Sequence, residues 1–93
     1  AGDGNLHPNI SFDGRDPDER SRVLAAGRES LEACVRAGGS ISGEHGIGVE
    51  KMDFMPILFS PEDLRLQLDI RHAVDPRELS NPSKSFPDSR SCV

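Results

Sequence analysis

One glycine-rich loop holds the pair of side chains best suited to chemistry. Residues 43–48 read G-E-H-G-I-G, and Glu44 and His45 are the ionisable residues of this loop. Five glycines fall between residues 38 and 48, and each costs roughly 0.5–1 kcal/mol relative to alanine in a regular element. Such a cost suggests that the backbone shape is required. An adjacent carboxylate and imidazole suit a metal ligand beside a general base.

Two other interpretations of this loop stay open. A phosphate cradle is the weaker one, because the order is G-x-x-G-x-G rather than G-x-G-x-x-G and no clear βαβ unit precedes it. A tight glycine turn with a solvated Glu44 and His45 explains the local pattern about as well as a functional site does.

A second glycine-rich segment opens the chain with A-G-D-G-N-L-H-P-N. Apolar and polar residues alternate from Leu6 to Phe12, which predicts a half-buried strand with His7 and Asn9 on its polar face. Pro8 lacks an N–H group, so this strand is expected at a sheet edge or beside a bulge. Histidine and asparagine on one face suit a metal or an anionic substrate. From this segment alone, an exposed polar strand face is the favoured interpretation.

Three helical stretches are predicted around these segments. The first is capped by Asp16, with Glu19 completing a capping box, and runs to about Ala37, where Gly38-Gly39 ends it. Its apolar stripe comprises Leu24, Leu31 and Val35, joined by Gly27 and Cys34. The second starts at Val49 and is expected to break at Pro56. The third is opened by Ser60 and reaches Ala73 or Val74.

Several other residues are interpreted as structural. Cys34 is expected to behave as a small buried hydrophobe. His72 stands alone on its helix without a partner in the sequence. Residues 80–93 are interpreted as an extended tail containing Asn81-Pro82-Ser83-Lys84.

The composition narrows the function classes. Of the 93 residues, 34% are apolar and 4% aromatic, which predicts a sparse core. The net charge of −5 argues against nucleic-acid binding and against an anionic membrane surface. No apolar run approaches the length needed to span a bilayer, and the first residues are not a signal peptide. The two cysteines form no disulfide framework, so a reducing, cytoplasmic compartment is expected.

Taken together, three motifs resemble the C-terminal part of FAD-linked 2-hydroxy-acid oxidoreductases. They are G-D-G-N-L-H-P at residues 2–8, G-G-S-I-S-G-E-H-G-I-G at 38–48 and N-P-S-K at 81–84. The resemblance covers nearly the whole chain and is nearest to the FAD-binding subunit of glycolate oxidase. D-lactate and D-2-hydroxyglutarate dehydrogenases share the pattern.

The resemblance implies roles for five residues. His7 and Glu44 would be ligands of a divalent metal, zinc or manganese. Asn9 and His45 would contact a small 2-hydroxy acid of glycolate or D-lactate type. His45 would also take the hydroxyl proton while the C2 hydride passes to FAD. Asn81 would lie near the flavin, although Ser83 stands where the family usually has glycine.

The resemblance also implies that residues 1–93 are a C-terminal fragment of the substrate domain. The main flavin-binding domain and the residues that hold the substrate carboxylate would lie elsewhere in the parent enzyme, so this fragment alone is expected to be inactive. The predicted fold is α+β, with helices packed on a few short, mostly antiparallel strands.

The expected partners are the substrate, the rest of the parent enzyme, other oxidase subunits and, for the fragment, a second copy of itself. Through such subunits the enzyme would lie in the cytoplasm or at the inner face of the membrane. The alternative is a small non-enzymatic module, metal-binding or structural, that kept the fold.

Overall fold

The computed structural model describes residues 2–87, which form helices joined by turns and coil. The elements in chain order are α1 (Pro17–Arg36), α2 (Gly48–Lys51), a 3₁₀ turn (Met52–Phe54), α3 (Met55–Leu58) and α4 (Pro61–Val74). No helix among these residues combines the length and the apolar character needed to cross a membrane.

The predicted α+β class is wrong, because residues 2–87 contain no strand. The alternating segment from Leu6 to Phe12 is coil, and no backbone–backbone hydrogen bond joins residues 2–12 to another described segment. A strand exists only with a neighbour in its hydrogen-bond ladder, and none of the described segments supplies one. The apolar side of the segment is accordingly uncovered, with Leu6 81% and Ile10 47% exposed.

Helix α1 begins where the sequence predicted, but its capping box does not form. The Asp16 carboxylate accepts hydrogen bonds from the backbone N–H groups of Asp18 (2.9 Å) and Glu19 (3.4 Å). The Glu19 side chain accepts instead from the N–H of Asp13, at 2.8 Å. Glu19 therefore ties the end of the preceding coil to the first turn of α1.

The glycine pair ends α1 as predicted. The N–H of Gly38 donates to the Val35 carbonyl and the N–H of Gly39 to the Cys34 carbonyl, at 3.0 and 2.8 Å. With φ of +86° at Gly38, these two bonds form a Schellman motif.

The middle stretch breaks before Pro56 rather than at it. Helical geometry tightens into the 3₁₀ turn at Met52–Phe54, and Pro56 then occupies the first turn of α3. A missing N–H is harmless at that position. Helix α4 starts with a complete capping box between Ser60 and Asp63 and ends at Val74, as predicted.

The core of the described residues is small and includes the residues at both ends of the glycine-rich loop. Ile41 (2% exposed), Met55 (3%) and Leu64 (3%) are its buried members. Partly buried side chains pack around them: Leu31, Val35, Ile47, Leu58, Phe59 and Phe86. Because Ile41 and Ile47 both join this core, they anchor the two ends of the loop that carries Glu44 and His45.

Several apolar residues lie outside that core. Within the α1 stripe Leu31 and Val35 pack as expected, whereas Leu24 is 60% exposed. Cys34 is exposed, so its prediction as a buried hydrophobe is wrong. Part of the predicted stripe stays exposed because few other elements pack against α1. On α4, residues 66, 70 and 74 face solvent.

Of the tail predicted over residues 80–93, the structure describes residues 80–87. They pass through turns, with positive φ at Asn81 (46°) and Ser83 (56°), and bring Phe86 against the core. Residues 88–93, including Cys92, lie outside the described part of the chain.

Candidate functional site

The two glycine-rich segments meet through His7 and Glu44. His7 Nδ1 and Glu44 Oε1 are 2.8 Å apart, although the residues are 37 positions apart in the sequence. His7 comes from the coil before α1, and Glu44 comes from the loop held by Ile41 and Ile47. Both side chains are about half exposed, at 51%. A contact between such distant segments must offset the entropy of closing the intervening loop.

His45 completes a cluster of three potential metal ligands. The His45 and His7 rings meet edge to face, with centroids 5.0 Å apart and an interplanar angle of 75°. His7, Glu44 and His45 each offer one ligand atom, and these three atoms lie within 4.8 Å of one another. Two imidazoles and a carboxylate form a donor set typical of catalytic zinc sites.

The electrostatics of the cluster favour an ionised Glu44. The hydrogen bond with His7 is the largest cause that holds the pKa of Glu44 below its ordinary value of 4.5. Charge interactions with His7 and His45 and a weaker interaction with the Asn5 side chain act in the same direction, while partial desolvation opposes them. A carboxylate that is ionised at neutral pH is ready to bind a cation without first losing a proton.

Asn5 is a site residue that sequence reasoning missed. Its carboxamide lies against Gly43, at the start of the loop, and interacts with Glu44. Its backbone N–H donates to the Asp3 carboxylate at 2.9 Å. The available signal was the position of Asn5 directly after the Gly-Asp-Gly turn, two residues before His7.

The other two predicted site residues stand apart from these contacts. Asn9 is exposed and forms no hydrogen bond within residues 2–87. Asn81 is exposed in the turns that follow α4, also without a hydrogen bond to a described residue. The roles assigned to Asn9 and Asn81 therefore stay predictions.

His72 is paired, so its description as a lone histidine is wrong. His72 Nε2 lies 2.8 Å from Glu78 Oε1, and both side chains are about half exposed. The chain reverses after α4 because Asp75 accepts from the N–H groups of Leu79 (3.1 Å) and Ser80 (2.8 Å). This reversal returns Glu78 to the helix, which a helical periodicity cannot reveal.

Two open depressions of the described residues lie away from the cluster of three potential metal ligands. An open depression of about 600 Å³ runs along the outer face of α1. A smaller one of about 290 Å³ lies between Phe12 and α1. Neither is lined by a residue of the His7, Glu44 and His45 cluster, so these depressions give no enclosed pocket at the chemistry.

Named proteins with similar sequences share one kind of chemistry. The chain is 46% identical over all 93 residues to the glycolate oxidase subunit GlcD of Escherichia coli K12, covering 19% of that protein. It is 31% identical over 87 residues to the mitochondrial D-lactate dehydrogenase [cytochrome] of Arabidopsis thaliana (94% of this chain, 15% of the relative). It is 36% identical over 87 residues to the D-2-hydroxyglutarate dehydrogenase of Stutzerimonas stutzeri (91% and 19%).

The chain thus spans between 15% and 19% of the length of these curated relatives. No solved structure matches it significantly. The family model described as FAD linked oxidases, C-terminal domain, matches residues 1–85, which include both glycine-rich segments and all three residues of the cluster. The chain therefore belongs to the family of C-terminal domains of FAD-linked oxidases.

Proposed function

We propose that this chain supplies the metal-binding and proton-accepting part of a flavin-dependent active site. The parent enzyme would oxidise a small 2-hydroxy acid, of glycolate or D-lactate type, to the 2-oxo acid. The observation that carries the proposal is the convergence of His7, Glu44 and His45 from two distant segments to within 4.8 Å. The family of the chain and the names of its relatives support the reaction class.

His7 and Glu44 would hold a divalent cation, zinc or manganese. Their donor atoms fit such an ion, because imidazole and carboxylate suit zinc, and manganese also accepts both. When bound, the cation would polarise the oxygens of the 2-hydroxy acid and lower the cost of removing the hydroxyl proton.

His45 would be the base that takes this proton. Its ring lies edge to face with the ring of His7, so it borders the same site as the two proposed ligands. A general base has to reach within about 2.6–3.2 Å of the group it deprotonates. Asn9 would contact the substrate from the neighbouring segment. FAD, when bound, accepts the hydride that leaves C2.

In this proposal FAD is held mainly by parts of the parent enzyme outside this chain, with Asn81 contributing. The family of the chain supports FAD as the cofactor. Three further points stay predictions. They are other oxidase subunits as partners, self-association of the isolated fragment, and a location in the cytoplasm or at the inner face of the membrane.

Two substitutions in the full-length parent enzyme test the proposal. Glu44→Gln should lose the metal and weaken substrate binding, whereas His45→Asn should keep metal and flavin but slow flavin reduction by the 2-hydroxy acid. Metal analysis and stopped-flow absorbance measure the two effects. Metal retained at parental affinity in Glu44→Gln would refute the metal role. Metal lost in His45→Asn would make His45 a ligand rather than the base. Parental flavin reduction in both variants would refute the catalytic part assigned to this chain.

A further inference from the structure

Asn5 differs from every residue around it in the coil before α1. Among residues 2–12 it alone is partly buried. Its backbone is fixed by the 2.9 Å hydrogen bond from its N–H to Asp3 Oδ1. Because the rest of this segment is exposed, the partial burial of Asn5 must come from a contact with another part of the chain.

That neighbour is the backbone of the glycine-rich loop at Gly43. A Cβ atom placed on residue 43 would overlap Asn5 Oδ1 and lie 3.0 Å from Asn5 Cγ. The φ angle of Gly43 is not in the left-handed region, so the backbone conformation does not require glycine there. The requirement is space, because the carboxamide occupies the position of the missing side chain.

The next residue along the loop is Glu44, whose carboxylate has several acceptor sites. One oxygen, Oε1, meets His7 at 2.8 Å. The Asn5 carboxamide packs against Gly43, the residue directly before Glu44, and helps to lower the pKa of Glu44. Glu44 is thus held from two sides: the His7 imidazole meets its carboxylate, and the Asn5 amide packs against the backbone of the residue before it.

We infer that Asn5 is a positioning residue for Glu44 and that Gly43 is glycine to give the Asn5 carboxamide its place. The inference rests on the proposed function, in which Glu44 is a metal ligand. Groups that orient a ligand typically change metal affinity by about 10–100-fold when they are removed. Asn5 would therefore act on the metal through Glu44 without touching it.

The test measures Mn²⁺ binding by calorimetry in the full-length parent enzyme. Asn5→Ala should weaken binding by about 10–100-fold, and saturating Mn²⁺ should restore the rate of flavin reduction. A purely structural defect would not be rescued by metal. Gly43→Ala should act in the same direction because its methyl group displaces the carboxamide. The double variant should bind no more weakly than Asn5→Ala, because the methyl group then meets an empty space.

Gly27→Ala is the matched control. It makes the same change on α1, where a Cβ atom would meet nothing within 4 Å, and it should bind Mn²⁺ like the parent. If Asn5→Ala does not fold, Gly43→Ala at parental affinity still overturns the inference.

Glu44→Gln separates the two claims. If it loses Mn²⁺ while Asn5→Ala binds normally, the positioning role is wrong and the proposed function stands. If Glu44→Gln itself binds normally, the proposed function fails, and the inference fails with it. Additive losses in the double variant would show that the carboxamide does not fill the space at Gly43.

Discussion

The described residues contain two histidine–carboxylate pairs that have the same nitrogen–oxygen distance but lie in different regions of the chain. His7–Glu44 and His72–Glu78 both have a nitrogen–oxygen distance of 2.8 Å and are about half exposed. The first joins residues 37 positions apart and the second residues 6 apart. Only the first belongs to a group of three potential metal ligands among the described residues, because His45 lies beside it. The short distance therefore does not distinguish the two pairs, whereas the long-range contact and the third donor beside the first pair do.

The backbone differs between the two regions as well. In the segments that carry the first pair, and at the end of α1, the positive φ angles belong to glycine: Gly2, Gly4, Gly38, Gly46 and Gly48. In the turns after α4 they belong to Glu78, Asn81 and Ser83. A left-handed conformation costs an L-residue roughly 1–2 kcal/mol, while glycine adopts it freely. The segments around His7 and Glu44 thus avoid the left-handed backbone strain that the turns after α4 carry.

The largest expected difference between the two pairs is catalytic. In the parent enzyme, His45→Asn should slow flavin reduction by about 10²–10⁴-fold, the usual contribution of a general base. His72→Asn is the matched control and should reduce its flavin at the parental rate, because His72 on α4 pairs with Glu78 and, among the described residues, does not belong to the group of potential metal ligands. Stopped-flow absorbance measures both rates. Equal effects of the two substitutions would contradict the distinction between the pairs.

Metal binding should separate the two carboxylates in the same way. A ligand at 100 times its dissociation constant stabilises the folded state by about 2.7 kcal/mol. Added Mn²⁺ should therefore raise the thermal midpoint of the parent enzyme and of Glu78→Gln. Glu44→Gln should show little or no increase, which differential scanning fluorimetry would detect. An increase in Glu44→Gln as large as that of the parent would place the metal elsewhere.

The strain in the second region gives a smaller effect. Ser83→Gly should stabilise the turns after α4 by up to about 1 kcal/mol, since relief of the left-handed strain exceeds the added entropy cost of glycine. The opposite substitution, Gly46→Ser at a φ of +75°, should destabilise the glycine-rich loop and weaken Mn²⁺ binding. Hydrogen exchange of peptides covering residues 78–87 and 41–48 in the parent enzyme measures each effect locally. Slower exchange after Gly46→Ser would refute this account of the glycine loop.

The comparison also explains which features were predictable. The ends of α1 and α4 follow from Asp16, Gly38 and Ser60, because caps depend on residues within one turn. The meeting of the two glycine-rich segments was implied by resemblance, since no local rule specifies a contact over 37 residues. The pairing of His72 escaped prediction because it depends on the reversal that Asp75 stabilises.

The fold class failed for a related reason. Alternation from Leu6 to Phe12 reports that one side of the segment is apolar, but it does not supply a neighbouring strand. Within residues 2–87 that neighbour is absent, and the segment remains coil. Cys34 is a helical example. It lies on the apolar stripe of α1 but is exposed, because a stripe is buried only where another element packs against it. Periodicity predicts which faces can be buried, and packing decides which of them are.

The smallest expected effect concerns pH and the reversal after α4. The N–H groups of Ser80 and Leu79, in that order, hold the pKa of Asp75 below its ordinary value of 3.8, with Arg71 adding a weaker charge interaction at 3.9 Å. The ionised Asp75 therefore stabilises the reversal fully above that ordinary value, and the contribution is lost as the pH falls through the lowered pKa.

Asp75→Asn should reduce hydrogen-exchange protection of residues 79 and 80 at pH 7. The difference from the parent should shrink in acid as Asp75 takes up a proton. Arg71→Ala should change this protection less, because backbone amides dominate the shift at Asp75, whereas the side chain of His7 dominates it at Glu44. Arg71 also donates to the Ser80 carbonyl, so a loss in Arg71→Ala equal to that in Asp75→Asn would show that the Arg71 side chain holds the reversal as strongly as the hydrogen bonds to Asp75 do.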